Sequence, residues 1–297
     1  MKRVISVSLG SSKRNHQVEV DFNGTKFSVE RRGTDGDMGK MISTIRELDG
    51  QVDAFGLGGI DLYVGSGKRR YVIKDGLRIV RAATKTPIVD GSGLKNTLER
   101  RTIQHLIQGG WDFQGKKVLL VSALDRWGMA ESLHQAGCQL VIGDLMFVLG
   151  IPMPIRSLKT IQVVAAFLAP LVTKLPFSIL YPTGKKQEVS DGKLGRYFRN
   201  VDIIAGDFNY IYKHMPMNME GKILITNTVT SQDVEELRKR GVKTLVTTTP
   251  VLNGRSFGTN VMEAVLLAYV GEKGELSPDQ YNRLLDELNL VPRVEHL

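Results

Sequence analysis

Val118–Asp144 reads VLLVSALDRWGMAESLHQAGCQLVIGD, and its layout decides the fold. Val118 to Val121 is an apolar run with the length of a buried strand. A turn follows, then a helical stretch from Gly128 to Gln135, Gly137, and a second apolar run from Gln139 to Ile142 closed by Gly143-Asp144. Strand, turn, helix, strand at that spacing forms one βαβ unit, and such units build parallel sheets. Downstream the alternation continues, with strands expected at 202–206, 222–226 and 244–247. A helix over 231–240 opens at Ser231 with an acidic first turn, and helices over 259–270 and 278–288 end the chain. The expected class is α/β, with a Rossmann-like doubly wound parallel sheet in the C-terminal part.

In such a sheet the turn after the first strand offers backbone N–H groups and a helix start to a phosphate. An acid at the tip of the second strand, here Asp144, is placed to hold ribose hydroxyls. The usual Gly-x-Gly-x-x-Gly is reduced: Ser122-Ala123-Leu124-Asp125-Arg126-Trp127-Gly128 keeps only the last glycine. Arg126 would offset that loss with a charge-assisted contact, and Asp125 would oppose it. Ser122, Asp125, Arg126, Gly128 and Asp144 are thus the expected cofactor-binding set, for NAD or NADP. The alternative is a sheet without a nucleotide, in which Asp144 caps the next element.

Upstream, residues 3–9 read as a buried strand, and 17–22 with 25–31 alternate across Asn23-Gly24 as a hairpin. A helix over 37–48, a strand over 52–57, a second hairpin around Gly65-Ser66-Gly67, a helix over 75–84, a short strand at 86–89 and a helix over 94–108 complete a smaller N-terminal α/β unit. The Gly109-Gly110 and Gly115 stretch marks the boundary, giving residues 1–112 as a substrate domain and 113–297 as the Rossmann-like domain.

Composition narrows the function classes. Apolar residues at 42% and charged residues at 24% are those of a globular chain. The net charge is +9, but the basic residues are scattered, and even the densest cluster, Lys68-Arg69-Arg70, is not a basic helix interleaved with aromatics. A small anionic ligand is expected ahead of nucleic acid. The apolar segment 161–180 contains Gln162, Pro170, Lys174 and Pro176, so a buried helix over 157–172 is expected, not a membrane span. Cys138 is the single cysteine and the N-terminus has no signal-peptide pattern, which points to the cytoplasm. His16, His105, His134, His214 and His296 are dispersed, so no metal is expected. A homodimer is left open.

Two polar loops between strand and helix are candidate sites. Asp90-Gly91-Ser92-Gly93-Leu94-Lys95-Asn96-Thr97 offers Lys95 and Asn96, or is a capped loop. Asn253-Gly254-Arg255-Ser256-Phe257-Gly258-Thr259-Asn260 offers Arg255, Ser256 and Asn260, or is a helix cap. Gly56 to Asp61 places an acid at a strand end, which orients a base or forms a turn.

VDGSGLKNTLERR, SLKTIQ, LYPTGKKQE, DIIAGDF, TTTP and GRSFGTNVMEA resemble a bacterial family commonly named quinate (or shikimate) 5-dehydrogenases. The resemblance implies NAD(P)-dependent oxidation of a cyclic polyol acid between a substrate domain and a Rossmann domain. Ser6-Val7-Ser8-Leu9 is faintly similar to the Ser-Leu-Ser-Pro motif with which shikimate dehydrogenases hold the substrate carboxylate. Gly93-Leu94-Lys95-Asn96-Thr97 is similar to their Gly-Ala-x-Asn-Thr string, while their Asn-Val-Thr-x-Pro-x-Lys motif has no counterpart. The expected assignment makes Lys95 the proton shuttle, with its pKa lowered by burial and set by Asp61 or Asp90. Ser8, Asn96, Thr97, Arg255, Ser256 and Asn260 would hold the substrate. The alternative function is a non-redox enzyme or sensor binding an anionic metabolite, phosphorylated or not.

Overall fold

The computed structural model describes residues 1–66, 69–175, 194–252 and 255–297. Two parallel-strand sheets dominate. The first has the order β2-β3-β1-β4-β7, from β1 (Lys2–Ser8), β2 (His16–Phe22), β3 (Thr25–Gly33), β4 (Ala54–Gly58) and β7 (Ile88–Val89). All pairs are parallel except β2 with β3. That hairpin closes on Asn23 and Gly24, both with positive φ, as a two-residue turn matching strand twist requires. Val4, Ile5 and Val7 are all buried in β1, because helices cover both faces of the sheet. Helix α1 (Met38–Leu48) turns Met41, Ile45 and Leu48 inward, and its cap Asp37 accepts from the Lys40 N–H. A small hairpin of β5 (Tyr63–Ser66) and β6 (Arg69–Val72) precedes α2 (Lys74–Val80), and α3 (Ser92–Gln108) leads to the second sheet.

The second sheet has the order β15-β12-β11-β10-β8-β9. Its strands are β8 (Lys117–Leu120), β9 (Gln139–Ile142), β10 (Ile203–Gly206), β11 (Ile223–Thr226), β12 (Thr244–Thr247) and β15 (Arg293–His296). The first five run parallel, and β15 lies antiparallel to β12 at the edge. Numbered by chain order the parallel strands read 2-1-3-4-5, so winding reverses between β8 and β10. Ligands sit at the carboxyl ends of strands at such a reversal. Connecting helices are α4 (Trp127–Gln135), α5 (Leu158–Val172), the single turn α6 (Arg196–Arg199), α7 (Phe208–His214) and α8 (Ser231–Lys239). The sequence reading had no helix at 208–214 and no strand at 293–296.

After the short hairpin β13 (Val251–Leu252) and β14 (Arg255–Ser256), helices α9 (Thr259–Val270) and α10 (Pro278–Glu287) leave the second sheet. Val261, Val265 and Leu285 share one core with Val4, Phe27, Val29 and Ala54 of the first sheet. A division near residues 112–113 remains our proposal for the strands; the helices cross it, because the apolar face of α9 is buried on β1 and β4. Helix α5 also departs from expectation. It buries Ile161, Ala165 and Ala169 but exposes Val163, Phe167 and Leu171 on its other face. Among the described residues no helix is long and apolar enough to cross a membrane.

Candidate functional site

The carboxyl ends of β1, β4 and β7 face those of β8, β10 and β11 across a cleft of about 220 Å³. The start of α9 closes one side. Two glycines let that helix approach: a Cβ on Gly56 would lie 2.8 Å from the Asn260 carbonyl oxygen, and one on Gly91, at φ +93°, 2.6 Å from the Asn260 nitrogen. Gly58 would similarly meet Ser8. Asn260 uses this proximity to donate from Nδ2 to Ser6 Oγ at 2.7 Å.

At the centre lies a set of buried charges. Lys95 Nζ donates to Asp61 Oδ1 at 2.9 Å and to Asp125 Oδ1 at 2.5 Å. Arg126, only 2% exposed, pairs with Glu99 at 2.9 Å and Asp207 at 3.1 Å, and Asn227 Nδ2 donates to Asp207 at 2.9 Å. Lys95 and Glu99 stand one helical turn apart on α3, so one face of that helix supplies a cation and an anion to opposite partners. Burial, reinforced by the Asp125 charge, pushes Asp61 up to about 7, although Lys95 pulls it down. Asp125 stays below its ordinary range: burial opposes its charge, but Lys95 and Arg126 outweigh burial. Burial would lower Lys95, yet the charges of Asp125 and Asp61 hold it well above its ordinary value. This corrects the expected shuttle. The neighbouring carboxylates favour the charged form of Lys95, and burial favours the protonated form of Asp61. Asp90 does not touch Lys95; its carboxylate accepts from the N–H groups of Leu62 and Ser92 and from the Ser92 hydroxyl.

The other end of the cleft is cationic. The pairing of β1, β3 and β2 sets Ser6 opposite Arg31 and Arg31 opposite His16, one row across the sheet. Arg31 donates to the Ser11 carbonyl oxygen at 3.0 Å and to Ser8 Oγ at 3.1 Å. Arg14 lies beside them on the wall. No local sequence pattern marks Arg31 or His16, since only strand register brings them to Ser6. Asp207 and Asn227 were also missed, though each directly follows a parallel strand, where ligand-facing residues collect.

The turn expected to hold a dinucleotide is closed by its own chain. Asp144, 6% exposed, accepts from the N–H groups of Ala123 at 2.7 Å and Leu124 at 3.0 Å, the donors a pyrophosphate would need. Burial raises Asp144 to about 6, against these two amides. A Cβ on Gly128 would meet the Asn96 carbonyl oxygen at 2.6 Å, so this glycine serves the contact between α3 and α4. Arg126 is committed to carboxylates, and Ser122 is buried. Residues 122–128 therefore do not fit a pyrophosphate. Asp144, Ser122 and Leu124 instead border an apolar pocket of about 100 Å³ with Leu145, Val148 and Ile161.

Of the expected residues, Ser8, Asp61, Asp90, Lys95, Asp125, Arg126, Ser256 and Asn260 line the cleft. Asn96 faces a different chamber, and Thr97 is buried away from the cleft. The side chain of Arg255 lies outside the described residues.

Fold and site together define a Rossmann-like α/β protein with a polar cleft between two sheets. The chain belongs to the family described as Domain of unknown function (DUF8754), which matches residues 93–297; residues 3–90 match Domain of unknown function (DUF8753). No curated protein matches the sequence. Similar solved structures include a galactofuranose binding protein, at 12% identity over 97% of this chain and 99% of that one, TM-score 0.39. L-tryptophan dehydrogenase from Nostoc punctiforme aligns at 13% identity over 97% and 80%, TM-score 0.40. The NAD-dependent malic enzyme from Thermotoga maritima aligns at 11% over 97% and 84%, TM-score 0.35. At these scores none bears on ligand or reaction.

Proposed function

We propose that the cleft binds a small hydroxylated acid and that Asp61, held by Lys95, moves a proton at one of its hydroxyl-bearing carbons, in a non-redox enzyme or sensor. The observation that carries this reading is the buried Asp61–Lys95–Asp125 set on one wall of a cleft whose far end carries Arg31, Arg14 and His16. A carboxylic acid poised near neutral pH both gives and takes a proton, and a fixed ammonium beside it stabilises a developing oxyanion. The arginine end would take the ligand's carboxylate or phosphate. Ser6, Ser8, Asn227 and Asn260 supply donors and acceptors for its hydroxyls.

A second reading, an NAD- or NADP-dependent dehydrogenase of a cyclic polyol acid, draws on one observation. The apolar pocket reaches Asp125 and Tyr210, which also line the cleft, so a flat ring there would adjoin the charge set. One experiment separates the two. Thermal stability is measured with hydroxy acids, sugar phosphates, NAD and NADP. A ligand at 100 times its dissociation constant adds about 2.7 kcal/mol. A response to acids without either dinucleotide is expected. A response to NAD or NADP alone overturns the first reading in favour of the second. In the responding protein, Asp61→Asn should keep binding and abolish turnover or exchange.

A further inference from the structure

The apolar pocket beside the cleft has a chemistry of its own. Its walls are the turn after β8, residues 144–149 after β9, the inner face of α5, Val64 of β5 and Ile73. Leu124, Leu145, Ile161, Ala165 and Ala169 give it an apolar lining, and no lysine, arginine or histidine borders it. Leu168 lies on the wall and is 36% exposed, so the pocket reaches solvent past α5. One polar atom interrupts the lining. Ser122 is 2% exposed, and its Oγ has no hydrogen-bond partner among the described residues. A buried hydroxyl left unpaired costs free energy that a bound partner would recover. Three polar neighbours are already committed: Asp144 accepts from two amides, Asp125 accepts from Lys95, and Thr173 donates to the Ala169 carbonyl oxygen. With two carboxylates on the wall and no cation, an anionic group is repelled. Volume narrows the occupant further. An aliphatic cavity of about 150 Å³ takes benzene. A pocket of about 100 Å³, open at one end, therefore suits one small ring or a branched alkyl group.

We propose that this pocket is an apolar subsite taking a neutral ring or branched alkyl group with one hydrogen-bonding atom, which pairs with Ser122 Oγ. Asp125 and Tyr210 wall both this pocket and the cleft, so the group is a substituent of the acid in the cleft, a step that rests on the cleft reading. The preferred ligand is then a hydroxy acid bearing an aryl or branched alkyl group. No pyrophosphate need accompany the ring, and Asp144 already holds the amides that one would use.

The test is an NMR titration of the full chain with two fragments, phenol and toluene, and two acids, lactate and 3-phenyllactate. Phenol should bind saturably and more tightly than toluene. Ser122→Ala should erase that preference, a change of roughly fivefold for one hydrogen bond. The same variant should not lower the unfolding midpoint, because the hydroxyl it removes is unpaired. Val164→Phe, at a half-buried position on the wall, fills the pocket and should abolish fragment binding; its unfolding curve checks that it folds. 3-Phenyllactate should bind at least about tenfold more tightly than lactate, the gain from burying a ring. Val164→Phe should remove that gain. Four results each overturn the proposal: no saturable binding of either fragment, undiminished phenol binding by folded Val164→Phe, an unchanged phenol preference in Ser122→Ala, or equal affinity where both acids bind. Failure of the cleft reading alone would appear as intact fragment binding with neither acid bound.

Discussion

Two strand-to-helix turns meet at the buried charge set beside the cleft, β7 into α3 and β8 into α4, and they use aspartate differently. In the first, Asp90 belongs to the turn itself, caps Ser92 and ties down Leu62, and the helix it starts presents Lys95 to the cleft. In the second, Asp144 reaches in from the next strand and takes both N–H groups that would otherwise meet a ligand. Both have the local order of a phosphate-binding unit. Neither leaves amides for one in the expected manner, so recognition falls to side chains: Lys95, Asp61, Arg31 and their neighbours.

The strongest way to break the second turn is Arg126→Met. Glu99, Asp125 and Asp207 would lose a buried guanidinium, and removing one partner of such a network costs about 3–5 kcal/mol. Chemical denaturation should show that loss; a change below about 1 kcal/mol would mean the carboxylates neutralise themselves. The first turn breaks at Gly91→Ala. The residue would need φ +93° and would press a Cβ on the first turn of α9, at an expected cost of about 2–3 kcal/mol. If the cleft depends on that approach, the same variant loses its ligand-induced stabilisation.

Asp144→Ala tests the closure directly. Two buried N–H groups lose their acceptor, for about 1–3 kcal/mol. The remaining test is in pH. Asp61, at about 7, and Glu263, pushed by burial and the Asp90 charge to about 8, hold protons in the folded state that the unfolded chain releases near pH 4. Folded-state pKa values above the unfolded ones mean stability falls as pH rises from the carboxylate range through about 7 for Asp61 and about 8 for Glu263. Each proton contributes a slope of up to about 1.4 kcal/mol per pH unit. Glu263→Gln mimics the protonated acid that bonds Tyr281, so it should flatten that slope without lowering stability at pH 5. An unchanged slope would place the titration elsewhere.

The sequence alone determined the alternation of strand and helix, the parallel second sheet, the Asn23-Gly24 hairpin and the candidates Asp61, Lys95, Ser8 and Asn260. Each is written in periodicity or in a short polar loop, signals that span fewer than about 20 residues. What it could not carry was partnership. Arg31 reaches Ser6 and His16 only through strand register, and α9 is tied to the first sheet by the apolar face it buries against Val4, Phe27, Val29 and Ala54. The same holds for charge. The upward shifts of Lys95 and Asp61 depend on Asp125, brought from 30 residues away by the docking of two sheets, and, for Asp61, on the loss of water around it.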